Sequence, residues 1–198
     1  MATSLAEIGQ FLDNLGIKHR LDVEHKAIYI GFTTKRYRDS SGRNSLALRI
    51  QVLEDGEYLD VVAPQVYSYK DGPHKLAVFQ TCLMACWKTK MLQYEYDEED
   101  GEIRAVIEFP LEDAKLTQRQ LERVVFAIPS IVEEFDAAFR AAIDRGEIAF
   151  PDVGGTASQL LDLVRLAEGL NPKDLADLIR RIREGGAGAA AGEGPDRL

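Results

Sequence analysis

Cys82 and Cys86 lie four residues apart, so on a helix both sulfurs project from one side, and His74 stands two further such steps back on the same stripe. Thiols and an imidazole are metal ligands. A structural zinc, however, takes four ligands in a tetrahedron, and the paired C-x-x-C units that usually supply them are missing. The two thiols read as small packing residues, free cysteine being among the most buried residue types. The run Asp97, Glu98, Glu99, Asp100 and Glu102 offers oxygen ligands but breaks the D-x-[DN]-x-[DN]-G register of a calcium loop. It reads as a solvated hairpin tip whose charges discourage edge pairing. His19, His25 and His74 fall in separate segments, and no nucleophile elbow, Walker motif, HExxH or dinucleotide fingerprint occurs. No catalytic residue, metal or cofactor is therefore expected, and the chain reads as a non-enzyme.

A second grouping is basic. Lys35, Arg36, Arg38 and Arg43 surround Tyr37, and cations interleaved with an aromatic ring can contact phosphate or a stacked base. These five residues are the candidate partner- or anion-binding site. The chain as a whole opposes a nucleic-acid role: 33 acidic against 24 basic residues give a net charge of −9, which repels phosphate backbones. A solvated loop is the plainer reading of residues 35–43.

The elements that must position these groups follow from periodicity. The chain has 198 residues, with 45% hydrophobic and 29% charged, a globular composition. Ser4 to Leu15 predicts an amphipathic helix on Leu5, Ile8, Leu12 and Leu15, capped by Thr3 or Ser4 and ended by Gly16. Strands follow at Lys18–Glu24 and Ala27–Thr33. Ser45–Leu53 and Tyr58–Val62 form a hairpin through Glu54-Asp55-Gly56, with Pro64 expected to end the second strand. Pro73 to Lys90 predicts a helix without a wide polar stripe, buried on most of its circumference. A second hairpin pairs Leu92–Tyr96 with Ile103–Phe109, and Thr117 caps a long helix that contains Pro129 and ends near Gly146. The fold class is α+β, an antiparallel sheet packed with helices in the order α-β-β-β-β-α-β-β-α, plus a C-terminal helical pair.

This order resembles the type III secretion chaperone-like fold and, within it, the YbjN family, over roughly Leu5 to Ile148. The telling parts are LALRIQVLEDGEYLDVVAP, HKLAVFQTCLMACWKTKMLQYEYD, and RAVIEFPLED with its downstream LTQRQLERVV. YbjN-like proteins are described as sensory transduction regulators. Their structural cousins are small acidic homodimeric chaperones that hold extended segments of secreted effectors. The resemblance thus implies a homodimer that binds a protein partner.

Residues 1–149 are expected to form that domain, residues 150–156 a linker, residues 157–184 a helical appendage, and the Gly/Ala-rich residues 185–198 a disordered tail. The appendage carries Leu160, Leu161, Val164, Leu175, Leu178, Ile179 and Ile182 as docking positions. Two short helices cannot bury both apolar faces alone, so they fold back, pair with a second copy or receive a partner helix. No apolar run approaches the ~20 residues of a membrane span, and no secretory leader is read at the start, so the expected location is cytoplasmic. The functional expectation is a chaperone-like adaptor or regulator that binds a partner polypeptide. The alternative is a ligand-binding sensor or small enzyme, with a phosphate-type ligand near loop 35–43 and Tyr58, Tyr67 and Tyr69 lining the pocket.

Overall fold

Leu46, Leu48 and Ile50 alternate with polar or small residues along one strand, and all three are buried. The same alternation recurs in register at Ile28 and Ile30, at Leu59, Val61 and Ala63, and at Ile103, Ala105 and Ile107. A sheet patterned this way has one apolar face to cover. The computed structural model describes residues 2–150 and shows that cover. Its elements are α1 (Leu5–Asn14), β1 (His19–Asp22), β2 (Ala27–Thr33), β3 (Ser45–Leu53), β4 (Tyr58–Ser68), α2 (Lys75–Lys88), β5 (Gln93–Tyr96), β6 (Glu102–Pro110) and α3 (Gln118–Arg145). The six strands form one antiparallel sheet in the order β1-β2-β3-β4-β6-β5. The α+β class and the expected element order are those observed. Of the expected linker only Phe150 is described, and the appendage with its docking positions and the tail lie outside the described residues.

The caps are set by local chemistry. Ser4 and Thr117 each accept from the backbone N–H three residues on, and Glu7 and Gln120 reach back to close a capping box. Gly146 takes the left-handed conformation that ends α3. Along α3, Leu121, Val124, Val125, Ile128, Val132, Phe135 and Phe139 form the buried stripe, which packs on β4 and β6 and against both other helices.

Three expectations are corrected. Strand β4 does not stop at Pro64: it runs to Ser68 by way of a bulge, the register to β6 jumping between Ala63 and Tyr67. A bulge is where a residue without an N–H is tolerated inside a sheet. The middle helix begins at Lys75 rather than at Pro73: His74 is its N-cap with non-helical dihedrals (φ −103°, ψ 13°), and its N–H is donated to the Tyr69 hydroxyl at 2.8 Å. That helix is also not buried all round. Val78, Thr81, Cys82 and Ala85 face the interior, whereas Leu76, Leu83 and Trp87 are 79%, 72% and 89% exposed.

Phe139 is fully buried, stacked on Tyr67 at 4.4 Å and tilted against Tyr94 at 4.7 Å. Phe139→Ala should therefore cost about 3–5 kcal/mol in urea unfolding. Leu21→Ala, at a half-exposed edge position, should cost less than about 1 kcal/mol. Equal losses at the two sites would contradict this packing.

Candidate functional site

The basic loop between β2 and β3 is held by a carboxylate of its own chain. Glu133 on α3 accepts from three successive backbone N–H groups: Lys35, Arg36 at 2.7 Å and Tyr37 at 3.4 Å. Consecutive N–H groups form a natural anion nest, and here Glu133 fills it. Tyr37 is a core residue: its ring meets Tyr67 edge-on at 6.0 Å, and its hydroxyl donates to the Val66 carbonyl at 2.9 Å. Burial pushes its pKa up to about 12. Lys35, Arg36, Arg38 and Arg43 remain exposed.

Asp39 closes the rest of the loop. It accepts from the N–H groups of Arg43 and Ser41, both at 2.9 Å, from the Ser41 and Ser45 hydroxyls at 2.8 Å, and from Arg43 Nε at 3.0 Å. The Arg43 N–H, followed by the Ser41 side chain, holds the carboxyl below the usual carboxylate range. Of the loop's four basic residues, Arg38 lines a cleft of about 420 Å³. The cleft lies between the loop, the β4 bulge, the start of β6 and the last turns of α3, with Gln65, Tyr67, Ser68, Asp100, Glu102 and Arg140 among its walls. Buried Asp136 accepts from the Tyr67 hydroxyl at 3.2 Å and pairs with Arg140 Nε at 3.4 Å. Arg140 Nη2 donates to the Arg38 carbonyl at 2.8 Å.

The α3 residues Glu133, Asp136 and Arg140 were missed in the sequence reading. Asp136 could have been noticed, because it interrupts the apolar stripe between Val132 and Phe139 and has Arg140 four residues on. Nothing in sequence links Glu133 to residues almost a hundred positions earlier.

The other candidate groups are placed as follows. Cys82 is buried, and burial raises its thiol to about 12; Cys86 Sγ accepts from the Tyr94 N–H at 3.2 Å. Among the described residues no group of three His, Cys, Asp or Glu side chains is placed to hold a metal ion. At the β5–β6 turn, Asp97 and Asp100 accept from the N–H groups of Glu99 and Glu102, and the Lys70 ammonium donates to the Glu99 carbonyl at 2.6 Å. Gly101 here has φ 80°, and a Cβ would meet the Lys70 backbone at 2.5 Å, so the tip admits only glycine. His19 and His25 stay apart, each near an aspartate, Asp13 and Asp22.

Among the described residues, three of the four most exposed large apolar side chains are on α2. Leu76, Leu83 and Trp87 follow one another at seven and four residues, which lines them up on a single stripe, and exposed Met91 lies just beyond the helix end. Among the described residues no helix is long and apolar enough to cross a membrane.

No family model and no curated protein matches the chain. Among solved structures it is similar to YbjN from E. coli, at 12% identity over 68% of this chain and 92% of that one, with a TM-score of 0.49. It is also similar to a chain of the HopA1–SchA chaperone–effector complex, at 17% identity over 66% of this chain and 88% of that one, with a TM-score of 0.42. These are the two kinds of protein that the sequence resembles.

The Glu133 clamp makes a direct prediction. Glu133→Ala should quicken amide exchange at Lys35, Arg36 and Tyr37 by about tenfold or more and leave the centre of β3 protected. Asp39 adds a pH signature. Because its folded pKa is depressed, its contribution is present above the unfolded value of about 3.9 and is lost only as pH falls through the lower folded value. Protection of the Ser41 and Arg43 amides should survive to about pH 3, and Asp39→Ala, which removes the accepting oxygen, should abolish it already at neutral pH.

Proposed function

We propose that this chain is a non-enzymatic, chaperone-like adaptor that works in the cytoplasm as a homodimer and binds a partner polypeptide. The observation that carries the reading is the stripe Leu76, Leu83 and Trp87 on α2. A helix that is apolar on nearly every side belongs in a covered position, and the fold covers only the side bearing Val78, Cys82 and Ala85. Contiguous exposed apolar side chains of this kind mark association surfaces. A second copy is the simplest cover, since a two-fold axis near Leu83 lays the same stripe on itself.

The partner polypeptide then has another surface. Strand β1 is four residues long, forms one edge of the sheet, and carries exposed Leu21, with Val23 79% exposed just beyond it. An extended segment that adds to this edge gains main-chain hydrogen bonds, and its alternate side chains meet the two apolar residues. The opposite edge, β5, presents Gln93 and Glu95 on its outer face and suits this role less.

The reading is tested by sedimentation equilibrium and by photocrosslinking in the native host. The wild-type chain should be a dimer, and Leu83→Asp or Trp87→Asp should give a monomer with unchanged circular dichroism. A photocrosslinker at position 87 should join two copies of this chain. One at position 23 should join a different polypeptide, and Leu21→Asp should abolish that adduct. A wild-type monomer at tens of micromolar, together with no adduct from position 23, would sink the proposal.

A further inference from the structure

The cleft bounded by loop 38–40, the β4 bulge, the first residues of β6 and the end of α3 has no part in the adaptor reading, and none of its lining residues lies on α2. It is built rather than incidental. Arg140 is aimed by Asp136 below it, and its guanidinium lies 5.9 Å from the centre of the Tyr67 ring. That ring is fixed in turn by stacking on Phe139. The bulge that opens the cleft holds Gln65 at φ 49°, a conformation non-glycine residues adopt at a cost, and the Gln65 N–H is bonded to Glu102 Oε1 at 2.7 Å.

The chemistry of the lining is two-signed. The loop and α3 contribute one guanidinium each, and Arg140 Nη2 is tied to the loop backbone by its bond to the Arg38 carbonyl. Each has five N–H groups and spends few of them: Arg140 on Asp136 and Arg38, and Arg38 on the Gly42 carbonyl at 3.2 Å. The hairpin contributes Asp100 and Glu102, each with one oxygen committed, to the Glu102 N–H and the Gln65 N–H respectively, and one left over. Gln65, Ser40 and Ser68 add neutral exposed polar groups. An inorganic anion gains the arginines but is repelled by the carboxylates, and a simple cation meets the reverse. Only a molecule with both charges uses the whole lining.

We propose that this cleft binds a zwitterion of amino-acid size, its carboxylate on Arg38 and Arg140 and its cationic end on Glu102 and Asp100. The volume of 420 Å³ is at the small end of ligand pockets and suits a single amino acid bearing a cationic side chain. A guanidinium fork can meet a planar carboxylate with two parallel N–H bonds. Arg38, Gln65 and Ser68 are exposed, so the ligand can enter without unfolding the core.

The test is an NMR titration of the full chain with L-arginine, with agmatine (the same molecule without its carboxylate), and with inorganic phosphate. L-arginine should move the Gln65 and Ser68 amides and the Arg38 side chain saturably. Agmatine should bind at least about tenfold more weakly, and Arg38→Gln and Glu102→Gln should each weaken L-arginine by about tenfold. Both variants are at solvent-accessible positions, and unchanged thermal unfolding checks that they fold. The proposal is overturned if L-arginine gives no saturable shift at tens of millimolar, or if agmatine binds equally well. It is equally overturned if phosphate binds more tightly than L-arginine and Glu102→Gln strengthens it, because the acidic residues would then play no part.

Discussion

The sheet has one apolar face, and the width of that face decides almost everything else. Six strands about 4.8 Å apart span about 24 Å between the outermost two, and helices pack side by side at about 8–10 Å. Three helices therefore suffice, in the lateral order α1, α3, α2. Helix α1 covers β1 and β2, α3 lies over β4 and β6 between the other two, and α2 packs on α3 and β5. The central helix is enclosed from both sides. The outer one is enclosed only on the flank that meets α3 and on the side that meets β5. An apolar sequence in that outer position leaves Leu76, Leu83 and Trp87 uncovered however well the rest packs.

Because α3 is central and spans 28 residues, about 42 Å, it passes beneath several loops and fixes them. Glu133 pins the turn after β2, the residue just before the Thr117 cap of α3 is tied to the N-terminal segment, and Arg140 steadies the loop near Arg38. That N-terminal tie runs from the Leu116 N–H to the Thr3 hydroxyl, while the Thr3 N–H reaches the Gly56 carbonyl. One helix thus supplies the hydrophobic seam and the polar contacts that give the basic loop a single conformation. The clamp explains why that loop can be ordered with so little apolar content of its own. Its backbone donors are paired with a carboxylate rather than with water.

The element order, both hairpins and the capping box of α3 were legible because each depends on local spacing: period two in Leu46–Val52, period near 3.6 in Leu121–Phe139, and Thr117 with Gln120. What was not legible depends on neighbours distant in sequence. The apolar content of residues 76–87 announced a helix that seeks cover, and the sheet width, which no local window contains, determined that one side would lack it. Pro64 was a fair stop signal locally. The bulge overrides it, with the Gln65 N–H bonded to Glu102 and the Val66 carbonyl accepting from Tyr37. The basic loop drew attention through its side chains, but its structural role lies in three main-chain N–H groups that meet Glu133. Side-chain composition carries no trace of that.

The face of the sheet opposite the helices carries arginines, and their pairing argues against a role for that face in binding anions. Arg20 lies 5.3 Å from the centre of the Tyr29 ring, Arg49 Nη2 meets Asp60 at 3.2 Å, and Arg104 meets Glu95 at 2.7 Å. Asp60 is itself buried, and burial raises its pKa against the lowering effect of Arg49; on removal of Arg49 the desolvation would act unopposed by that partner. Val62 and Val106, on the same face, are buried beneath this layer of side chains. The outer face thus consists largely of cross-strand pairs, which is how an antiparallel sheet normally meets water. Among the described residues, apolar exposure on α2, an apolar strand edge at β1, and two partly spent guanidiniums beside two partly spent carboxylates are left without such cross-strand pairing. Association and recognition have physical room at those places, because there the chain's own groups do not complete one another.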